Sequence, residues 1–276
     1  MIHTLLSGRE AQLDRLTIKR IQIRRDEIEP THFELHGVEG CLYPLTGSAV
    51  VNDNAGTRCG VGRRKPIESE GVRKGSIECV RWPADSGVKV AVTRTGDYAF
   101  DAMMITYRPK DFIVDKPPNY QTGGYRNEVG RGAYYREVRE IVPPDGFRIH
   151  VGETYSPGTN DDPKVPDGVW SSWPPHATPE ETREQYEHHE EVMFFLMPRD
   201  HYGIVKLNGK YVSGDRAKGL MEVRNGLVTS MPTGRHEIVS GPALPGQGWL
   251  YYFWAYVSFL RKTYNQYADD TGTYLK

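Results

Sequence analysis

The sequence predicts an all-β protein built as two domains of similar size. Three observations carry this. The chain has 276 residues, long for one ordinary domain and suited to two of ~130 residues each. Its 29 glycines and 19 prolines are scattered, which cuts the chain into pieces of strand length. Those pieces alternate apolar and polar residues, the period-two pattern of half-buried strands. Short strands with few helices point to sandwiches or barrels, and the pattern alone leaves both open.

Taken in order, residues 1–20 carry charges at Arg9, Glu10, Asp14, Arg15, Lys19 and Arg20, with no uninterrupted apolar run of the kind a secretory signal needs. Val88, Val90 and Val92 fall on one side of a predicted strand, Lys89, Ala91 and Thr93 on the other. Residues 100–107 read as a further strand. Residues 117–133 are polar and rich in turn formers, and the domain boundary is placed there: a first domain over 1–125 and a second over 126–276. The Glu-rich segment 179–190 predicts a short helix or a polar loop, with Pro179 suited to a first helical turn. Strands over 192–197 and 202–207 flank Pro198-Arg199-Asp200, which predicts a hairpin. Asn208-Gly209 and Asn225-Gly226 are turn signals, since both residue types tolerate positive φ.

Charge excludes one class of partner. Lys and Arg number 35 against 36 Asp and Glu, without the basic excess of a phosphate-binding face, so no nucleic acid is expected. Arg63-Arg64-Lys65 is followed at once by Glu68 and Glu70 and reads as a solvated loop. The longest mostly apolar run, 249–260, is shorter than the ~20 residues of a membrane helix, so no membrane partner is expected. Cys41, Cys59 and Cys79 are odd in number and lack C-x-x-C spacing, which argues against a zinc knuckle or a thioredoxin-like motif. Buried thiols in a reducing cytoplasm are the expectation.

From Gly130 onward the stretches GRGAYYREVREIV (130–142), VGETYSPG (151–158), WSSWPPH (170–176), EEVMFF (190–195), PTGRH (232–236) and WLYYFWAYV (249–257) follow one another. In order and rough spacing they resemble the 5-deoxy-glucuronate isomerase family of bicupins, itself related to the 5-keto-4-deoxyuronate isomerases. WSSWPPH is the most specific piece. The N-terminal half matches only as a degenerate cupin. The resemblance implies two cupin-type β-barrel or jelly-roll domains and one metal site, in the second. It also implies aldose–ketose isomerisation of a uronate-type or deoxy sugar acid, as in myo-inositol breakdown.

The family's metal motif is a His-x-His pair on one strand, a glutamate on the next and a distal histidine. His176 fills the first slot, Glu191 the glutamate slot and His236 the distal slot. Imidazole and carboxylate together suit a divalent ion such as Zn, Mn, Fe or Ni. Thr178 stands where the second histidine belongs, and Ala177 and Pro179 replace the family's lysine and aspartate. His189 lies two residues before Glu191. If the strand begins that early, both face the same way and His189 replaces the missing ligand; otherwise His188-His189 are surface residues. Asn160, Asp161, Asp162 and Asp167 lie in an insertion without EF-hand spacing and read as a solvated loop.

An aldose–ketose isomerase needs a proton-transfer group and a stabiliser for enediolate oxygens. The catalytic candidates are Glu153, Tyr252 and Arg136; the substrate-binding candidates are Trp170, Ser172, Arg139 and Tyr251. Arg136 and Arg139 are three apart and cannot share a strand face, and neighbouring Tyr251 and Tyr252 place one phenol inside at most. Alternatives stay open: the arginines as surface partners of Glu137 and Glu140, and Trp170 and Trp173 as core or rim. Ser171 and Ser172 have no His–Asp arrangement nearby in sequence, so no serine nucleophile is expected. Three functions compete: a metal-dependent sugar isomerase; a bicupin with a lost or altered site, taking a different sugar or a nucleotide-like ligand; and an assembly role in a homo-oligomer through the aromatic run 251–254.

Overall fold

The computed structural model describes the chain except for residues 8–12, 64–76, 85–86, 110–118, 123–124, 131, 143–146, 158–169, 178–188, 212–213, 242–247, 259–266 and 269–276. Residues 63, 119–122, 125–129, 173–177, 189, 210, 233–235, 258 and 267–268 are described by backbone alone. The segment 179–188, Thr178, His188, Arg64-Lys65 and the acidic insertion therefore lie outside what is described, or largely so.

Two compact units form. The first comprises Met1–Gly8, Arg15–Gly124 and Ile141–His150; the second comprises Arg9–Asp14, Tyr125–Glu140 and Val151–Lys276. The main change of unit falls in the polar stretch 117–133. That stretch holds two short strands rather than one long turn region, and each pairs within its own unit.

The first unit is one nine-stranded antiparallel sheet: β1 (Ile2–Leu6), β2 (Leu16–Ile23), β3 (Thr31–Leu35), β4 (Glu39–Asp53), β5 (Arg58–Arg63), β6 (Ile77–Trp82), β7 (Val88–Thr95), β8 (Phe100–Tyr107) and β9 (Asn119–Thr122). The long β4 organises it. Its first half pairs with β6 and β8, its second half with β5 and β7. The change of partner coincides with a bulge between Pro44 and Thr46. Pro44 has no N–H to give a ladder. At Gly47, φ is 74° and an added Cβ would sit 2.3 Å from the Ala99 carbonyl oxygen, so only glycine allows this bend. The sheet folds over a core that includes Ile21, Leu42, Trp82, Val88, Val90, Val92 and Phe100, and the predicted valine face is buried as expected. Cys41 and Cys79 are buried, Cys59 is half-buried, and none forms a disulfide.

One buried carboxylate ties the segment 141–150 into this unit. Glu39 accepts the Arg148 N–H at 2.8 and 3.0 Å and the Ile149 N–H at 2.7 Å. Arg81, fully buried, lies 4.2 Å over the Phe147 ring.

The second unit is a two-sheet jelly roll. One sheet runs β10 (Tyr125–Val129), β11 (Arg136–Val142), β12 (Ile149–Ser156), β19 (Leu250–Ser258), β14 (His189–Leu196) and β17 (Val228–Met231). The other runs β16 (Arg216–Val223), β15 (Gly203–Lys210), β18 (Thr233–Ser240), β13 (Trp170–Ala177) and β20 (Tyr267–Ala268). Successive strands from β12 to β19 mostly change sheet, as jelly-roll connections do. The core is drawn from both: Met193, Phe195 and Tyr252 from the first, Val205, Leu207 and Ile238 from the second.

Two predicted turns come out differently. Residues 198–201 do turn, with the His201 N–H on the Pro198 carbonyl at 2.9 Å. The turn joins β14 to β15, which belong to different sheets, so it is a crossover and no hairpin. Asn208-Gly209 lies inside β15, where Asn208 pairs with both Lys218 and Arg235. Pairing on both flanks overrides the local turn preference. Asn225-Gly226 does turn, with φ of 82° at Gly226. Among the described residues no helix is long and apolar enough to cross a membrane.

Burial pushes the Glu39 carboxyl up from 4.5 to about 7, against the pull of the Arg148 and Ile149 amides. The folded state then holds an extra proton between those values, so this group's contribution to stability falls as pH rises through that window, by about 3 kcal/mol in all. Urea unfolding from pH 5 to pH 8 is expected to show Glu39→Gln gaining on the wild type; parallel curves would refute the assignment. Separately, an added Cβ at Gly152 would lie 2.0 Å from the Trp254 ring. Gly152→Ala is expected to cost about 1–3 kcal/mol, with much of it recovered in a Gly152→Ala/Trp254→Leu double variant.

Candidate active site

The site is built by strand alternation inside the second unit. On β14, Glu191 shares a face with Met193 and Phe195, both in the core between the sheets. On β18, His236 shares a face with Ile238, also in that core. Glu191 is 3% exposed and His236 2%. They come from different sheets and interact electrostatically: burial pushes the Glu191 carboxyl up to about 7, and His236 pulls it back. A carboxylate in an apolar interior is costly unless a positive partner compensates it.

His176 stands directly opposite His236 in the β13–β18 register, which puts the two residues on one face of the five-stranded sheet. β14 begins at His189, which pairs with Ser258. The strand therefore does start early enough for His189 and Glu191 to share a face. Glu190, between them, takes the other face and accepts the Asp14 N–H at 2.8 Å. Among the side chains described, no three His, Cys, Asp or Glu groups converge; those of His176 and His189 are not among them.

Of the two tyrosines, Tyr252 faces the interior. Its ring packs 5.7 Å from that of Phe195 and its hydroxyl donates to the Ser171 carbonyl at 3.0 Å. Burial raises the phenol's pKa, Thr154 and Arg136 pull it down, and Glu191 pushes it further up. Arg136 is buried; desolvation lowers its pKa, and the Tyr252 phenol pulls it back up. Arg136, Tyr252, Glu191 and His236 thus form one electrostatically linked set. Ser171 also bonds Ser156, Oγ to Oγ at 2.6 Å, and Ser172 is buried beside it. Trp170 is half-buried at the start of β13.

Three sequence candidates fall elsewhere. Glu153 accepts the Tyr251 hydroxyl at 3.0 Å, and Arg139 Nε lies 3.6 Å from Glu153. Each neighbours an inward residue: Glu153 precedes Thr154, and Tyr251 precedes Tyr252. Alternation therefore puts this buried network on the opposite face of the six-stranded sheet. Glu153, Arg139 and Tyr251 are not brought to Glu191 and His236, and Arg139 pairs with Glu153 rather than with Glu140.

Sequence reasoning missed Trp254 and Tyr256. They continue the period-two face of Tyr252, and Tyr256 is the register partner of Glu191. Their rings stack at 5.8 Å with 19° between planes. The signal was present: counting by twos from Tyr252 finds both.

The architecture has solved counterparts. An IolB-like protein from Salmonella typhimurium LT2 is 18% identical with a TM-score of 0.70, over 98% of this chain and 93% of that one. Lactobacillus farciminis oxalate decarboxylase is 10% identical at 0.57, over 96% and 86%. Protein YlbA from E. coli is 12% identical at 0.54, over 94% and 83%. At these identities the likeness shows the fold alone, and that fold is the bicupin. No curated protein matches the sequence. Residues 4–271 match the KduI/IolB family. Nearly the whole chain is matched, so the protein belongs to the KduI/IolB family, whose members are sugar isomerases and include 5-deoxy-glucuronate isomerase.

Proposed function

We propose that the second unit is a metal-dependent aldose–ketose isomerase for a uronate-type or deoxy sugar acid. The observation that carries it is the meeting of Glu191 and His236, almost fully buried, from two sheets of one barrel, in a chain of an isomerase family. The donors suit a divalent ion such as Zn, Mn, Fe or Ni: a carboxylate on β14 and an imidazole at 236, with His176 the register partner of His236. When bound, the ion supplies positive charge against enediolate oxygens.

The chain's residues grip and orient the substrate and hold a proton for its oxygens. Isomerisation breaks a C–H bond beside the carbonyl, leaves an enediol(ate), and returns a proton to the former carbonyl carbon. Tyr252 holds a proton at Oη, kept there by burial, and is the interior group placed to share it with a substrate oxygen. Arg136 offers a fork of donors for a sugar carboxylate. Trp170 and Ser172 are candidate contacts at the sugar. The aromatic face Tyr252–Trp254–Tyr256 excludes water. Glu153, Arg139 and Tyr251 fit a supporting role, fixing β12 against β19.

Thr178 favours a second reading, a divergent bicupin that binds another sugar or a nucleotide-like ligand without metal chemistry. Kinetics separate the two. With 5-deoxy-glucuronate or a related aldehyde acid, His236→Ala and Glu191→Gln are expected to lose roughly 100-fold or more in kcat/KM. Tyr252→Phe is expected to lose about 100-fold, mainly in kcat, and Arg136→Lys to raise KM about 10-fold. Full turnover after chelation and metal removal would contradict the isomerase reading; a metal-free protein retaining a bound ligand would support the second.

A further inference from the structure

Among the described residues, the five-stranded sheet of the second unit ends at β16, which pairs with β15 on one side and with no strand on the other. Its side chains alternate. Ala217 and Val223 are buried in the core, while Arg216, Lys218, Leu220 and Glu222 are exposed. Leu220 is 73% exposed, and no other large apolar side chain among the described residues of this unit is so exposed. The ladder also fixes where the main chain points. The Tyr211 N–H bonds the Asp215 carbonyl at 2.9 Å, and the β15–β16 register continues that pairing without a shift. Antiparallel ladders alternate bonded and non-bonded pairs. Residues 217, 219, 221 and 223 therefore direct their N–H and C=O groups to β15, and residues 216, 218, 220 and 222 direct theirs outward. The outward main-chain groups and the exposed side chains belong to the same residues.

We propose that β16 is a self-association edge, through which two copies of this chain pair antiparallel about a two-fold axis at Leu220. Outward groups bond only when even-numbered residues face even-numbered ones. The register centred on 220 sets Leu220 against the partner's Leu220 and Lys218 against the partner's Glu222, twice by symmetry. Opposite charges directly across a ladder stabilise it, and like charges oppose it. A lysine on a free edge ordinarily blocks strand addition; here one register neutralises it and covers the exposed leucine at once. The register centred on 219 would set Lys218 against the partner's Leu220 and does neither. At the ends of the seam Arg216 faces the partner's Arg224, which lies beyond the strand and is bonded to Glu222 of its own chain. About six main-chain hydrogen bonds close the seam. A two-fold pairing uses up both edges, so association stops at the dimer. An edge of eight residues buries less than a standard interface, so the dimer is weak and concentration-dependent. None of this depends on the metal-dependent reading.

The test is sedimentation equilibrium of the full-length protein across a concentration series. Wild type is expected to dimerise with a dissociation constant of roughly 1–100 µM. Lys218→Glu and Glu222→Lys each set like charges across both pairs and are expected to weaken the dimer roughly 10-fold or more. The Lys218→Glu/Glu222→Lys double variant restores both pairs and is expected to return to within a few-fold of wild type. An equimolar mixture of the two single variants is expected to form a heterodimer, since each then meets its opposite. Leu220→Lys is expected to abolish association. The substituted side chains are exposed, and thermal melts at low concentration are expected to match wild type. A wild type that stays monomeric at about 1 mM overturns the proposal. So does a dimer whose dissociation constant none of these substitutions moves, or one that the charge swap and the mixture both fail to rescue.

Discussion

The approach of Glu191 to His236 across the interior of a barrel is the constraint on which the chemistry proposed for the second unit depends. Each sits on a face otherwise given to apolar packing, Met193 and Phe195 on one strand and Ile238 on the other. A carboxylate in such a place costs free energy unless something positive meets it. His236 meets it in part, and the carboxyl remains pushed up to about 7. A divalent ion would compensate the charge more fully, and that is the physical case for a metal here.

Everything else in the site is sorted by the two-residue period of its strands. Adjacent residues on β12 and β19 divide their work: Glu153 and Tyr251 bond each other on one face, while Thr154 and Tyr252 meet on the other. Arg139 and Arg136 divide the same way. One network holds the strands in place and the other lines the proposed site. Gly152 serves the inner face by leaving room for the Trp254 ring, which with Tyr256 extends the aromatic wall beyond Tyr252.

Much of this was legible in the sequence, and the reasons for the rest are physical. The strands and the valine face at 88–92 are local patterns, so they could be read, and of the residues singled out by motif the fold buries Glu191 and His236 and sets His176 opposite His236. The choice between Tyr251 and Tyr252 depends on which face of β19 meets the second sheet, and no local pattern states that. A carboxylate in a motif stretch, such as Glu153, can be a reactant or an ion-pair partner, and its bonds to Tyr251 and Arg139 come only with the fold. Asn208-Gly209 failed as a turn because β15 is paired on both sides. The membership of 141–150 in the first unit is tied to long-range contacts such as the Glu39 carboxylate on the Arg148 and Ile149 amides, which have no signature in the sequence.

The proposed chemistry requires that the Glu191–His236 pair hold a metal. Elemental analysis of protein purified without chelator is the direct measurement. About one transition-metal ion per chain is expected, and it should be lost together from Glu191→Gln and His236→Ala variants that remain folded. A wild-type protein that carries no metal as purified, and takes up none when offered Zn, Mn, Fe or Ni, would contradict it.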